Sequence, residues 1–228
     1  MQTTSIIIHI FCYAMFFVHS WISKLNNNQR LINDEGGFTS KPGNLIASHV
    51  IGILWLGVVP LILLKHSMLK LLTGNEMPGG LFIFIFILIF TLIISIAFKQ
   101  SGAYVKNQGS PEGFINLSST FFISYFIIRA LFLFVYELWF RGFLLFDCIS
   151  WAGIPVAVSF IVFLYVLVHI FNSKKEMWAC IPFGLLVCFL NILFNAAWPA
   201  IILHIGFSLV YELNIYRSHF FTIKIARP

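Results

Sequence analysis

An all-α bundle of about seven transmembrane helices is the fold this sequence predicts, and three observations predict it. Apolar runs of roughly 18 residues or more recur along the chain, the length a helix needs to cross the hydrocarbon core of a bilayer. Of the 228 residues, 60% are hydrophobic and only 10% are charged, where a soluble domain carries about 25% charged residues. The runs also lack the alternation of a membrane β-barrel strand: Leu81 to Phe90 is apolar at every position. A lipid bilayer is therefore the first partner to expect.

The first span covers Ile6 to Ile22. No Lys or Arg precedes it and no small-residue cleavage site is evident, so an uncleaved helix is expected. A polar loop follows from Ser23 to Asn44, with Asn26-Asn27-Asn28 and Gly36-Gly37 as breakers. Leu45 to Leu64 forms the second span, and Pro60 should kink its far end. Lys65 to Gly80 is a short loop with room for an interfacial turn. The third span, Leu81 to Phe98, has almost no polar atom to offer and is expected to face lipid. Lys99 to Leu117 is polar, Gly109 to Gly113 signals a loop, and Asn116 or Ser118 can cap the next helix.

The fourth run, Ser118 to Ile149, is about 32 residues long. At 1.5 Å per residue it exceeds one bilayer core, so it must tilt, protrude or break near Gly142. Gly153 to Phe171 is the fifth span, closed by Asn172 to Glu176. Trp178 to Phe194 is the sixth and Ala196 to Tyr216 the seventh, with Trp198-Pro199 near its start. Residues 1–117 thus hold three spans with polar loops, 118–216 a four-helix core, and 217–228 a basic tail. Neither a soluble domain nor an internal repeat is evident.

The cations sort by side. Loops after spans one, three, five and seven hold ten Lys and Arg residues: Lys24, Arg30, Lys41, Lys99, Lys106, Lys174, Lys175, Arg217, Lys224 and Arg227. The opposite side holds Lys65 and Lys70, and Arg129 and Arg141 are intramembrane. By the positive-inside rule the N-terminus is expected outside and the C-terminus in the cytoplasm. The net charge of +6 suits anionic headgroups rather than nucleic acid. Cys12, Cys148, Cys180 and Cys188 sit in or beside apolar segments without a Cys-x-x-Cys pair, so they read as small buried hydrophobes.

Ionisable residues at membrane depth carry the functional signal, because each costs several kcal/mol unless it is partnered. Glu137 and Arg141 stand one helical turn apart inside an apolar run, and Arg129 lies on the same face two turns earlier. His169 and His204 lie on later spans, with Ser208 and then Glu212 following His204 at four-residue steps. A single intramembrane His commonly makes one interhelical hydrogen bond, worth about 0.6 kcal/mol. Two of them with a Glu–Arg pair on three C-terminal helices point instead to a shared polar cavity. His9, His19 and His49 stand near span ends or alone, so function is placed between Ser118 and Tyr216. By the same depth reckoning Glu212 reads as a solvated or interfacial carboxylate. Two His without a third ligand make a poor zinc site, and neither a metal nor a cofactor is expected.

Glu137-x-x-x-Arg141-Gly142, then Tyr165-x-x-x-His169, then Trp198-Pro199-Ala200-Ile201-Ile202-Leu203-His204 resemble, in that order, the motifs of the CAAX protease and bacteriocin-processing (CPBP) family of intramembrane peptidases. Phe183-Gly184 is similar to that family's sixth-helix pattern, and the resemblance covers roughly Ser118 to Asn214. It implies a catalytic set of Glu137, Arg141, His169, His204 and Ser208. In the family the first Glu of a Glu-Glu pair activates a water, and the His residues with the last motif position hold that water and stabilise the oxyanion.

Here the departures fall at the chemistry. Tyr136 stands where that first Glu is expected, Tyr165 replaces a Phe, and Ser208 an Asn. A phenol, with an ordinary pKa of about 10, is a poor base near neutrality. Three readings stay open. The favoured one is a non-catalytic member that keeps the fold and binds another membrane protein or a membrane-embedded peptide. The second is an active peptidase with a relocated base. The third is a transporter or channel-like subunit in which Arg129, Glu137 and the His pair line a polar path. The composition and the absence of a targeting signal fit a bacterial cytoplasmic membrane.

Overall fold

The computed structural model describes residues 2–26, 31, 39, 41–64, 66–74, 78–108, 118–171 and 173–226, and side-chain surroundings for these except residues 2, 107, 108 and 219–226. Asn27, Asn28, Arg30, Gly36, Gly37, Lys65, Gly109 to Gly113, Asn116, Asn172 and Arg227, to which the sequence assigns breakers, loop signals, a cap or flanking charges, lie outside the described residues. Among the described residues there are helices and no strand. Seven helices are long and apolar enough to cross a membrane: Thr3–Leu25, Pro42–Leu63, Gly80–Lys106, Ser119–Ala152, Ile154–Phe171, Lys174–Phe194 and Trp198–Ser218. The chain is an all-α multi-pass membrane bundle. Its outward side chains, such as Ile62, Leu81, Ile127 and Trp178, are large, apolar and exposed. At about 25 cal/mol per Å² such surface is costly in water, so contact with a lipid bilayer follows.

The fourth span organises the rest. Every residue from Val135 to Leu145 is buried, Glu137 and Arg141 included. The second, fifth, sixth and seventh spans pack against it, and the first reaches it through Phe16 on Tyr136 and Tyr13 on Trp139. Ser118 caps it, accepting from the Phe121 N–H at 3.1 Å. The third span, mostly exposed as expected, lies on the seventh.

The long fourth run does not break at Gly142. Instead, Leu138–Leu144 widens into a π-helical stretch and the helix continues to Ala152. A wide turn absorbs an extra residue and re-aims the side chains beyond it without losing the helical hydrogen bonds. A second wide turn, Leu54–Val58, precedes Pro60. A wide turn at this place fits Pro60, whose ring in a regular helix collides with the carbonyl four residues back. Among the described residues of the loop after this span, Met68–Thr73 forms a short helix. The last helix runs to Ala226, well past the expected end at Tyr216. No Gly or Pro lies between those residues to stop it.

Candidate functional site: a buried carboxylate between arginine and histidine

Glu137 and Arg141 are both 0% exposed. Arg141 Nη1 lies 3.0 Å from Glu137 Oε2 and donates to Oε1 at 3.2 Å. His204 on the seventh span brings Nδ1 to 2.5 Å from Oε1. The i,i+4 spacing supplies the first contact; close packing of the fourth and seventh spans supplies the second. Oε1 therefore carries both hydrogen-bonding contacts, while Oε2 lies at ion-pair distance from Arg141 with no hydrogen-bond partner among the described residues.

The guanidinium of Arg141 rests against two aromatic rings set nearly perpendicular to each other, 4.1 Å from the centroid of Tyr165 and 5.3 Å from that of Phe140. Such cation–π contacts are worth about 2 kcal/mol or more each when desolvated. They matter here because Arg141 Nε and Nη2 have no hydrogen-bond partner among the described residues. Gly184 makes room for the Tyr165–Arg141 contact: a Cβ there would stand 3.3 Å from Tyr165 Cδ1 and 3.8 Å from Arg141 Nη2.

Tyr136, at the position where the family resemblance expects the base, is 3% exposed. Its ring meets Phe140 at 4.7 Å, Phe132 at 5.7 Å, Phe16 and His204 at 5.9 Å and Tyr165 at 6.1 Å between centroids. Its hydroxyl finds no hydrogen-bond partner among the described residues. The ring is caged as a hydrophobe.

The other motif positions divide. His169 caps the fifth helix and turns Nδ1 to its own helix, 2.7 Å from the Tyr165 carbonyl, with its ring 4.5 Å from that of Tyr165. It is a neighbour of the Glu137 centre across Tyr165, with no hydrogen bond to the carboxylate. Ser208 lies one turn from His204 but belongs to a second network. It accepts from Arg129 Nη2 at 3.1 Å and donates to Glu212 Oε1 at 3.4 Å.

That second network corrects three expectations. Arg129 does not join Glu137 although both occupy one helical stripe; its Nε pairs with Glu212 Oε1 at 3.3 Å. Glu212 is no solvated carboxylate, since its side chain is 15% exposed and Tyr125 donates to it at 2.8 Å. The seventh helix runs on past it, so depth counted from the predicted span end was misleading. Nor is His49 alone. Its Nδ1 sits 2.8 Å from the Leu45 carbonyl, which places the proton there and leaves Nε2 to accept from Arg129 Nη1 at 3.2 Å.

A third cluster also draws on the N-terminal half, so polar chemistry is not confined to Ser118 to Tyr216. Asp147 Oδ2 meets His9 Nε2 at 2.9 Å, and His66 Nε2 lies 3.2 Å from Oδ1. Asp147 inside a hydrophobic stretch is the sequence signal for this site, by the rule that intramembrane ionisable residues are partnered. Among the described residues no group of three His, Cys, Asp or Glu side chains is placed to hold a metal ion. The four cysteines are buried and unpaired.

The chain matches no protein-family model, no curated protein and no solved structure.

Proposed function

We propose that this integral membrane protein is a non-catalytic, CPBP-like scaffold that binds a membrane partner or a membrane-embedded peptide. On this reading it sits with its N-terminus outside, in a bacterial cytoplasmic membrane. One observation carries the proposal: Glu137, the carboxylate nearest the expected base position, has no solvent exposure and is held between Arg141 and His204, both of which meet Oε1. A base must reach the proton it removes, directly or through one water. Tyr136, the residue at the base position itself, packs as an aromatic ring in an aromatic cage. The test is incubation of the purified protein in proteoliposomes with a panel of labelled transmembrane peptides. Peptides should be recovered intact by mass spectrometry; cleavage that disappears in His204→Ala refutes the proposal.

A second reading, a peptidase with Glu137 as relocated base, is favoured by the 2.5 Å approach of His204 Nδ1 to Glu137 Oε1. A carboxylate does reach one of the two motif histidines. This reading requires that Arg141 release the carboxylate on substrate entry, and it predicts that Glu137→Gln abolishes cleavage.

A further inference from the structure

The third span, Gly80–Gln108, is fixed to the bundle by one face. There Phe90 and Ile94 sit so close to Gly206 of the seventh span that a Cβ on it would stand 2.8 and 3.1 Å from them. Two turns beyond Ile94, fully buried Ser101 accepts from Asn214 Nδ2 at 2.8 Å. The opposite face is thereby aimed away from the protein. Steps of three, four or seven residues keep to one side of a helix. On this side they lead from Ile85, Leu88 and Leu92 to Lys99, Gly102 and Lys106, all of them exposed.

Depth gives this order of residues a meaning. With Gly80 at one boundary of a hydrocarbon core about 30 Å thick, Lys99 lies about 28 Å along the helix and Lys106 about 39 Å. Lys99 thus stands at the far boundary and Lys106 beyond it, so their ammonium groups bracket the headgroup layer. Gly102 leaves an open seat between them, since nothing on the neighbouring helices comes within 4 Å of where its Cβ would stand. From residue 78 to residue 108 the chain has no Asp or Glu to neutralise the two lysines.

We propose that this face is a binding site for an anionic phospholipid: an acyl chain lies along Ile85, Leu88 and Leu92, and the phosphate sits over Gly102 between Lys99 and Lys106. Each ammonium offers three donors to the phosphate oxygens. A zwitterionic lipid matches the apolar stripe but brings its own cation to the phosphate, whereas a lipid of net negative charge leaves the phosphate to the lysines. The stripe in turn excludes a soluble phosphate as the intended occupant, because such an anion has no part that matches Ile85 to Leu92. A basic residue near the membrane surface contributes about fivefold to the affinity for anionic lipid. The site draws on neither the Glu137 centre nor a peptide partner, so it stands apart from the function proposed above.

Native mass spectrometry of the full chain in detergent tests this, with phosphatidylglycerol and phosphatidylcholine of the same acyl chains titrated in turn. The wild type should retain phosphatidylglycerol more tightly. Lys99→Gln/Lys106→Gln should weaken that binding by about 25-fold, fivefold for each lysine, and leave phosphatidylcholine binding unchanged. Gly102→Leu keeps both charges and meets no neighbouring helix at its Cβ; by filling the seat it should also weaken phosphatidylglycerol binding. Lys174→Gln/Lys175→Gln removes two exposed cations at the start of the sixth span, at the same end of the bundle, and should change nothing. Equal affinity of the wild type for the two lipids overturns the proposal, as does a preference that survives in Lys99→Gln/Lys106→Gln or in Gly102→Leu. It is overturned equally if the Lys174/Lys175 variant loses as much, which would make the effect one of overall charge, or if the chain is recovered as a lipid-free dimer.

Discussion

Glu137→Ala tests the buried centre most directly. The substitution leaves Arg141 fully buried without its carboxylate and strips His204 of its partner. Removing one member of a buried pair costs about 3–5 kcal/mol, because the other charge stays desolvated and unpaired. The cation–π contacts of Arg141 with Tyr165 and Phe140 persist in the variant, so they do not offset the loss. At about 2–4 °C per kcal/mol for a chain of this length, the melting temperature should fall by about 6–20 °C. Thermal unfolding in detergent, read by tryptophan fluorescence, measures it. The companion variant Glu137→Met/Arg141→Met removes both charges at similar volume. It should regain most of the loss, since a well-packed apolar replacement of a buried pair is often neutral. With the single variants Glu137→Met and Arg141→Met added, the coupling across that cycle isolates the pair from simple cavity formation. A loss under about 1 kcal/mol for Glu137→Ala, or a double variant as unstable as the single, would show that the carboxylate does not neutralise Arg141 in the folded state.

Two further outcomes follow from the same packing. Tyr136→Phe removes a buried hydroxyl that has no partner among the described residues while keeping the caged ring; stability should be unchanged or rise by up to about 1 kcal/mol, and a clear fall in melting temperature would mean the hydroxyl is engaged. Gly206→Leu puts a side chain where even a Cβ would be 2.8 Å from the Phe90 ring. It should prise the third span from the seventh and lower stability by about 1–3 kcal/mol, with cross-linking between engineered cysteines on the two spans reporting the separation.

Much of the fold was legible because lipid demands long apolar helices, and length and hydropathy reveal them directly. The seven spans, the Ser118 cap and the lipid-facing third span all follow from local sequence. The excess length of the fourth run is kept, since the helix continues through the wide turn Leu138–Leu144 to Ala152. Of the polar centre, the Glu137–Arg141 pair was legible because both partners lie on one helix at a spacing fixed by its period. Contacts between helices were not. A helical face says which side chains point together and leaves open which neighbour they meet, so Arg129 with Glu212 and His49, and Asp147 with His9 and His66, emerge only from packing. His169 shows the converse. Its motif spacing from Tyr165 holds, yet that spacing also sets its ring nitrogen against its own helix's carbonyl.

The two readings of the Glu137 centre differ in what Tyr136 is doing, and the cage bears on that choice. Were this a peptidase site that had merely lost its base, the space around the base position would be polar or open. Instead Phe16 from the first span and Phe132, Phe140 and Tyr165 all close on the Tyr136 ring. A glutamate placed there would leave part of that volume empty and set a carboxylate against aromatic side chains, with Arg141 already engaged by Glu137. Burying an unpaired carboxylate costs more than the packing it replaces could return. The aromatic residue at this position is thus matched by aromatic rings of the first, fourth and fifth spans, which is the signature of a core built around a ring. By the same logic the short contact between Glu137 and His204 is a tie between the fourth and seventh spans before it is a piece of catalytic machinery.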